Sequence, residues 1–371
     1  MGEPHRIGIV GLGVISRVYR DTLAAHPGVR VTAVADLDAA RAASVAAELP
    51  GSRAVGVGEL LAAPDVDTVL NLTVPAAHAD IALGAIAHGK DVYGEKPLAA
   101  TFPAAQGVME AATAAGTTVG CAPDTVLGTG LQTARWAIDT GGIGRPQFAT
   151  AVMITPGHER WHPHPDFYYT AGGGPLLDMG PYYITALVHL LGPVTAVIGA
   201  AGRLRDERVI GSGPRAGRTI PVEVDTHVSG VLEHAGGALT TLTTSFDGLA
   251  TAATPIEVHG ETGSLAVPDP NRFDGPVRIF TDGAREWRTL PAAAGYADGE
   301  RGVGLLDFAT TGPGEEPRAG GHLALHVSEV MSALLTSAAE GRRIRLTTTT
   351  RRPAPVPLTA ADRWRGRPGT S

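Results

Sequence analysis

Short hydrophobic runs alternate with alanine-rich stretches over about the first third of the chain. The runs RIGIV at 6–10 and VRVTAVAD at 29–36 are typical of buried strands. Three further runs of this kind lie at 67–74, 90–95 and 117–122. Strands that alternate with helical segments at this spacing form right-handed βαβ units. Residues 1–125 are therefore predicted to form a doubly wound parallel sheet of the Rossmann dinucleotide-binding type.

The pattern changes after Pro123. Helices are predicted near 127–140, 177–191 and 321–340, and a polar, proline-rich loop at 157–174. Between 194 and 290 strand-like runs follow one another without intervening helices, which indicates a mostly antiparallel open sheet. The prediction is an α/β fold, with an α+β substrate-binding and oligomerisation domain at 126–346 and a tail at 347–371.

Net charge, cysteine content and hydrophobicity exclude several classes of partner and site. The chain has 371 residues, a net charge of −7 and a single cysteine, Cys121. This charge argues against nucleic acid or an anionic membrane as partner, and one cysteine excludes an internal disulfide and a four-cysteine zinc site. The most apolar window, 184–201, contains His189 and a Gly-Pro pair, so it is predicted to be a buried helix followed by a strand, with His189 structural. With no secretory signal before the first strand, we expect a cytoplasmic protein.

A glycine turn follows the first strand directly and leads into the first helix. Its sequence is Gly11-Leu12-Gly13-Val14-Ile15-Ser16. Glycine at 11 permits a tight turn, and glycine at 13 lets a pyrophosphate approach the backbone N–H groups at the helix N-terminus. We therefore predict a dinucleotide site at Gly11, Gly13, Val14 and Ile15; the alternative is a glycine turn without a ligand.

Asp36 stands at the end of the second predicted strand. A carboxylate at this place can accept the ribose hydroxyls of an adenosine and would repel a 2′-phosphate, so NAD is favoured as cofactor. Arg41 is the nearest base and keeps NADP open. The alternative role for Asp36 is that of a helix N-cap.

Gly94-Glu95-Lys96-Pro97 ends another predicted parallel strand, at the edge where doubly wound sheets bind ligands. Pro97 fixes the turn and permits a cis bond. Lys96 and Lys90 are the two lysines of a chain that otherwise uses arginine, and an ammonium can share a proton where a guanidinium cannot. The alternative is an ordinary surface lysine.

Asp178 and Tyr182 follow a glycine run, Gly172-Gly173-Gly174, at the start of the apolar helix. Residues four apart share one helical face, so a carboxylate and a phenol here form a candidate acid–base pair. The alternative is a carboxylate at a helix N-terminus beside a packing tyrosine.

Taken together and in order, these motifs resemble the glucose–fructose oxidoreductase / inositol dehydrogenase (GFO/IDH/MocA) family. The resemblance runs from GLGVIS through VAD, NLTVPAAH, EKP and GGGPLLDMGPYY to HVSEVMSALLTSAAEGRRI. It implies a Rossmann domain followed by an α+β domain whose open sheet makes homodimers or homotetramers. It also implies Lys96 near the nicotinamide, Asp178 in the active site, and cofactor contacts around Thr73, Pro75 and His78.

The chain departs from the family pattern at two places. Many members have histidine four residues after the aspartate, whereas this chain has Tyr182, as members resembling glucose–fructose oxidoreductase and dimeric dihydrodiol dehydrogenase do. Asp124 lies in a segment, Cys121–Thr125, where the family usually has an asparagine–arginine type of sequence. We therefore treat Asp124 as a candidate substrate contact.

The loop His158-Glu159-Arg160-Trp161-His162-Pro163-His164-Pro165-Asp166 has a spacing that suggests a zinc site. Its prolines break the helix on which such ligands must converge, so no metal is predicted. Since the loop shortly precedes the glycine run, we predict a carbohydrate contact. Trp161 would be the stacking platform, and His162, His164 or Asp166 the hydrogen-bond partners. The alternative is a lid or an oligomer contact.

The favoured function is an NAD(P)-dependent oxidoreductase acting on a secondary alcohol or hemiacetal of a sugar, cyclitol or glycoside. Tyr182, assisted by Lys96, would handle the hydroxyl proton, and Asp178 would orient the substrate or tune the phenol. Two alternatives stay open: a redox glycosidase with tightly bound NAD, and a non-catalytic NAD-binding sugar sensor.

Overall fold

The computed structural model describes residues 3–24, 26–312 and 315–366. The chain forms two compact units. The first unit comprises Met1–Gln132, Ala293–Leu325 and Pro353–Ser371, and the second comprises Thr133–Ala292 and His326–Arg352.

The first unit opens with alternating strands and helices, as predicted. Its strands are β1 (His5–Val10), β2 (Val29–Ala35), β3 (Arg53–Ala54), β4 (Thr68–Asn71), β5 (Asp91–Gly94) and β6 (Val119–Cys121). Its helices up to this point are α1 (Val14–Ala24), α2 (Ala39–Glu48), α3 (Val57–Ala62), α4 (His78–Ala87) and α5 (Phe102–Ala115). Among the described residues the strands form one parallel sheet in the order β3-β2-β1-β4-β5-β6, which confirms the Rossmann prediction.

The core of this sheet follows from its sequence. Ile7, Ile9, Val69 and Leu70 lie on the two central strands and are fully buried, as expected for parallel strands covered by helices on both faces. Because the strands are parallel, the residues that follow β1, β2, β4 and β5 lie along one edge of the sheet. The predicted cofactor residues therefore belong to the same edge.

Two later segments return to the first unit. Gly320 forms a β-bridge with Gly120, Tyr296 forms one with Gly128, and the N–H of Val356 donates to Oε1 of Gln132 over 3.0 Å. The two compact units thus differ from the predicted division into 126–346 and a tail at 347–371, since residues 293–325 and 353–366 pack with the first unit. The physical reason is burial: α8 (Val303–Ala309) and Val356 supply apolar side chains to this unit's interior.

The second unit contains the mixed sheet. After α6 (Thr129–Asp139), which leads into it, its elements are β7 (Pro146–Ile154), α7 (Pro175–Leu191), β8 (Val194–Gly202), β9 (Glu207–Val209), β10 (Thr219–Pro221), β11 (His227–His234), β12 (Leu239–Ser245), β13 (Ile256–Gly260), β14 (Gly263–Val267), β15 (Arg278–Thr281) and β16 (Arg288–Thr289). The chain then continues through α8, α9 (Gly321–Glu340), β17 (Ile344–Arg345) and α10 (Ala361–Trp364).

Nine of these strands form a sheet in the order β16-β15-β14-β13-β7-β12-β11-β8-β17, and β9 pairs with β10 separately. The pairing is antiparallel except between β7 and β12, so the mostly antiparallel prediction is confirmed. By strand alternation Phe148, Ile198 and Leu239 share one face, and each of them is exposed. Within the described residues, no helix combines the length and apolar character needed to cross a membrane.

Candidate active site

The glycine turn after β1 has the geometry that a dinucleotide needs. Gly11 has φ +92°, and a Cβ there would lie 2.7 Å from the carbonyl carbon of Leu72. A Cβ at Gly13 would meet no atom within 4 Å, so the backbone at this position faces open space. Val14 is almost fully exposed, and the hydroxyl of the buried Ser16 donates to the carbonyl of Gly13 over 2.7 Å. The start of α1 is thus open to a pyrophosphate.

The Asp36 carboxylate is held at the end of β2 by backbone N–H groups. Leu12 donates to its Oδ2 over 2.7 Å and Asp38 to its Oδ1 over 2.9 Å, while Nη1 of Arg41 lies 3.4 Å from Oδ1. Burial opposes ionisation, but the two N–H groups and Arg41 outweigh it and lower the pKa of Asp36 below its usual value. Asp38 caps α2 by accepting the N–H of Arg41, so the N-cap alternative raised for Asp36 belongs to Asp38.

The Glu-Lys-Pro turn lies directly after β5, with a cis bond between Lys96 and Pro97. Glu95 accepts the hydroxyl of Tyr19 over 2.8 Å and the N–H of Lys96 over 3.1 Å. Lys96 is half-buried. The backbone that carries its ammonium is therefore fixed by the carboxylate beside it.

Of the three predicted contacts after β4, two lie at the surface of the turn and one inside it. Pro75 is exposed and Thr73 is half-buried, with its hydroxyl donating to Oδ1 of Asn71 over 2.7 Å. His78 is buried, and its ring nitrogens lie 2.6 Å from the carbonyl of Pro97 and 3.0 Å from that of Thr73. His78 thus ties the β4 turn to the Glu-Lys-Pro turn, which favours a supporting role over direct contact with a cofactor.

Asp124 lies in the interior of the first unit. It is 0% exposed, and its Oδ2 accepts the N–H groups of Gly302 and Gly304 over 2.8 and 3.1 Å at the start of α8. Burial raises the pKa of Asp124 to about 6, against the lowering effect of Arg301 and these N–H groups. The carboxylate therefore holds the start of α8, and the predicted substrate contact of Asp124 stays a prediction.

In the second unit, Asp178 and Tyr182 lie in the first part of α7, as predicted. Oδ2 of Asp178 is 2.9 Å from Nε2 of His158, and their side chains are 18% and 13% exposed. Asp178 also lies in the first helical turn, where the helix dipole favours a carboxylate. Tyr182 is buried.

The loop before α7 presents aromatic side chains. The ring of His158 lies 4.4 Å from that of Tyr168, 4.6 Å from that of Phe246 and 5.3 Å from that of Trp161. Trp161 is 59% and Phe167 55% exposed, and His162 packs edge-on between them. Asp166 forms two hydrogen bonds of 2.5 and 2.7 Å to Arg215. The loop therefore offers an open aromatic surface beside the His158–Asp178 pair.

A buried ionic network fixes this loop. Glu159 turns inward, accepts the hydroxyl of Tyr169, and lies 3.2 Å from Nη1 of Arg208, which also binds Asp247. The carbonyl of Glu159 accepts the N–H of Gly211 over 2.7 Å. Within the described residues no group of three or more His, Cys, Asp or Glu side chains could hold a metal, and Glu159 and His158 point to different partners.

Sequence reasoning missed the contribution of three residues. The sequence indicates His158 and Glu159 only as part of a zinc-like spacing, and it gives no sign of Asn71, whose amide donates to the carbonyl of His78. The charged partners of His158 and Glu159 are Asp178 and Arg208, which lie 20 and 49 positions away. No local spacing in the sequence predicts such pairs.

A Rossmann unit with an open phosphate turn, followed by a mixed-sheet unit that carries Asp178 and its histidine, defines a nicotinamide-dependent class of enzyme. Two family models match the chain: the oxidoreductase family with an NAD-binding Rossmann fold at residues 5–122, and the GFO/IDH/MocA C-terminal domain at 131–266. The chain belongs to the GFO/IDH/MocA family and is an NAD(P)-dependent oxidoreductase.

Individual relatives agree with this assignment. The chain is 31% identical over 268 residues to 1,5-anhydro-D-fructose reductase of Ensifer adhaerens, covering 70% of this chain and 75% of that protein. It is 30% identical over 356 residues to dTDP-3,4-didehydro-2,6-dideoxy-α-D-glucose 3-reductase of Saccharopolyspora spinosa, covering 85% and 94%. The crystal structure of an NAD binding oxidoreductase from Klebsiella pneumoniae has the same fold, with a TM-score of 0.81 and 24% identity over 93% of this chain and 100% of that one.

Proposed function

We propose that this enzyme moves a hydride between NAD and a secondary alcohol or hemiacetal carbon of a sugar, cyclitol or glycoside. The observation that carries the substrate class is the second unit's site, where the Asp178–His158 pair adjoins the exposed ring of Trp161. Carboxylates and imidazoles bind hydroxyl groups, and an indole face packs against the C–H face of a sugar ring. The two named relatives, both reductases of sugar derivatives, support this choice.

The first unit has the groups to hold the cofactor. The N–H groups at Gly13, Val14 and Ile15 suit the pyrophosphate, and the carboxylate of Asp36 suits the ribose hydroxyls of the adenosine. NAD supplies the hydride acceptor, and NADH the donor, when bound. Glu95 holds the backbone of the turn that presents Lys96, and Thr73 and Pro75 are proposed as further contacts beside it.

Proton handling falls to three side chains in the proposal. Tyr182 takes the hydroxyl proton as the alcohol is oxidised and returns it in the reduction. Lys96 is proposed to assist this proton transfer. Asp178 orients the substrate hydroxyls, and Trp161, His162 and Asp166 are proposed as its binding surface.

Assembly and location complete the proposal. The exposed apolar side chains of Phe148, Ile198 and Leu239 on one sheet face suit association of copies as a homodimer or homotetramer. Cys121 is a buried free thiol, which suits a reducing cytoplasm.

The experiment is a reduced-nicotinamide absorbance assay with NAD and, separately, NADP, on a panel of aldoses, anhydro sugars, inositols and simple glycosides. Lys96→Ala is compared with Lys90→Ala as a matched control. Lys90 lies just before the first residue of β5, at the other end of the strand from Lys96, and its Nζ donates to the carbonyl of Val66 over 2.8 Å. We expect Lys96→Ala to lower kcat by about 10² to 10⁴ through loss of acid–base assistance, and Lys90→Ala to stay near wild type.

The outcomes separate the candidates. Turnover of one substrate group, lost in Lys96→Ala alone, supports both the reaction and the role of Lys96. Equal activity of the two lysine variants contradicts that role. If no substrate gives reduced nicotinamide, released NAD from the denatured protein together with glycoside cleavage would favour the redox glycosidase, and released NAD without cleavage the sensor.

A further inference from the structure

Many family members have a histidine four residues after the aspartate, where helix α7 has Tyr182. In this chain a histidine from outside the helix contacts the aspartate: Nε2 of His158, in the loop that follows β7, lies 2.9 Å from Oδ2 of Asp178. At this separation the ring donates an N–H to the carboxylate when His158 is neutral, and forms an ion pair with it when protonated. We propose that His158 is a positioning residue of the reaction, which holds the Asp178 carboxylate in place. This inference rests on the proposed function and adds a group to it.

The site is built to keep the two side chains together. The His158 ring is enclosed by the rings of Tyr168, Phe246 and Trp161, which restrict its rotation. Its neighbour Glu159 is bound by Tyr169 and Arg208 in the interior, so the backbone at 158 cannot shift freely. A pair with side chains only 13% and 18% exposed is screened less than a surface ion pair.

Other ionisable groups that face the His158 ring are few among the described contacts. Asp178 approaches from α7, and His162 and Tyr168 approach from the loop itself, while the side chain from the end of β12 is the uncharged Phe246. Asp178 is the carboxylate among these neighbours, so His158 acts on the site through it. We therefore expect Asp178 to hold a substrate hydroxyl less firmly when the His158 ring is removed.

The test compares kcat and KM for alcohol oxidation in wild type, His158→Gln, His158→Ala and His227→Gln. Glutamine keeps an N–H donor for Asp178, whereas alanine removes it. His227 is a matched control, an exposed histidine on β11 whose Nε2 contacts Ser229. Thermal melts of the four proteins check that each is folded.

We expect kcat/KM of His158→Gln and of His227→Gln to stay within about threefold of wild type. In His158→Ala we expect a drop of about 10- to 100-fold in kcat/KM, mainly through KM, which glutamine rescues. A KM of His158→Ala like that of active wild type would overturn the role of His158 alone. Absence of wild-type turnover on the whole panel would overturn the proposed function, and this role with it.

Discussion

The glycine turn of the first unit and the loop at 157–174 of the second differ in how far apart along the chain their determinants lie. The turn is fixed by Gly11 and Gly13 and by the strand and helix on either side of them. The loop is fixed by Arg208 and Arg215, each more than 48 positions from its carboxylate partner in the loop. A turn fixed by neighbouring residues can be recognised in a short stretch of sequence. A loop fixed by distant arginines depends on the fold of the whole sheet.

This difference also separates two kinds of chemistry. The turn offers backbone N–H groups to a ligand, so few side-chain identities matter there beyond the glycines. The loop presents side chains, and their orientation depends on buried charges that must stay paired. Substitutions should therefore affect the two regions differently, and the following predictions test that contrast in order of decreasing effect.

The largest effect is expected in the network beneath the loop. Arg208→Ala would leave the buried Glu159 and the partly buried Asp247 without their shared cation. Breaking a buried pair by removing one member costs about 3 to 5 kcal/mol, so we expect a loss of this size in the free energy of unfolding, measured by urea denaturation. Arg215→Ala is the control, because its pair with Asp166 is partly exposed and a much smaller change is expected. Equal losses in the two variants would show that the buried network does not hold the loop.

The second prediction concerns Asp124, the buried carboxylate of the first unit. Its pKa of about 6 lies above the unfolded value of 3.8, so the folded state binds more protons between these values and is destabilised as pH rises through them. Asp124→Asn keeps an oxygen for the N–H groups of Gly302 and Gly304 and removes the charge. We expect the stability of the variant relative to wild type to rise by about 2 kcal/mol between about pH 4.5 and about pH 7.5.

Urea denaturation at the two pH values measures this difference, and Asp139→Asn provides a control at a carboxylate that is only partly buried. A stability difference between Asp124→Asn and wild type that does not vary with pH would contradict the raised pKa.

The sequence predicted the Rossmann unit well because its signals are local. Alternation of β-branched runs with helical segments, and the glycines at the end of β1, locate Gly11, Asp36 and Lys96 at one sheet edge without any long-range information. The return of 293–325 to the first unit was not predicted, because the bridges at Gly120 and Gly128 join backbone to backbone and do not depend on the pattern of side chains. The inward orientation of Glu159 and the contact of His158 with Asp178 were not predicted for a related reason. Each depends on a fold that brings distant residues together.

The smallest effect is expected at Asp36, beside the glycine turn, and concerns the preference for NAD over NADP. Asp36→Asn keeps an oxygen that can accept one of the two N–H groups now bound, but it removes the charge that would repel a 2′-phosphate beside Arg41. We expect the ratio of kcat/KM for NADP to that for NAD to rise about 10-fold, or roughly 1.4 kcal/mol, measured with one sugar substrate at constant ionic strength. Asp38→Asn is the matched control, since Nη2 of Arg41 also lies 3.4 Å from Asp38 and asparagine caps a helix as well as aspartate does. The carboxylate of Asp38 caps α2, whereas that of Asp36 accepts the N–H of Leu12 in the glycine turn, so we expect Asp38→Asn to change the ratio less. Equal changes of the ratio in the two variants would mean that the preference between NAD and NADP follows the net charge around Arg41 rather than the carboxylate fixed at the end of β2.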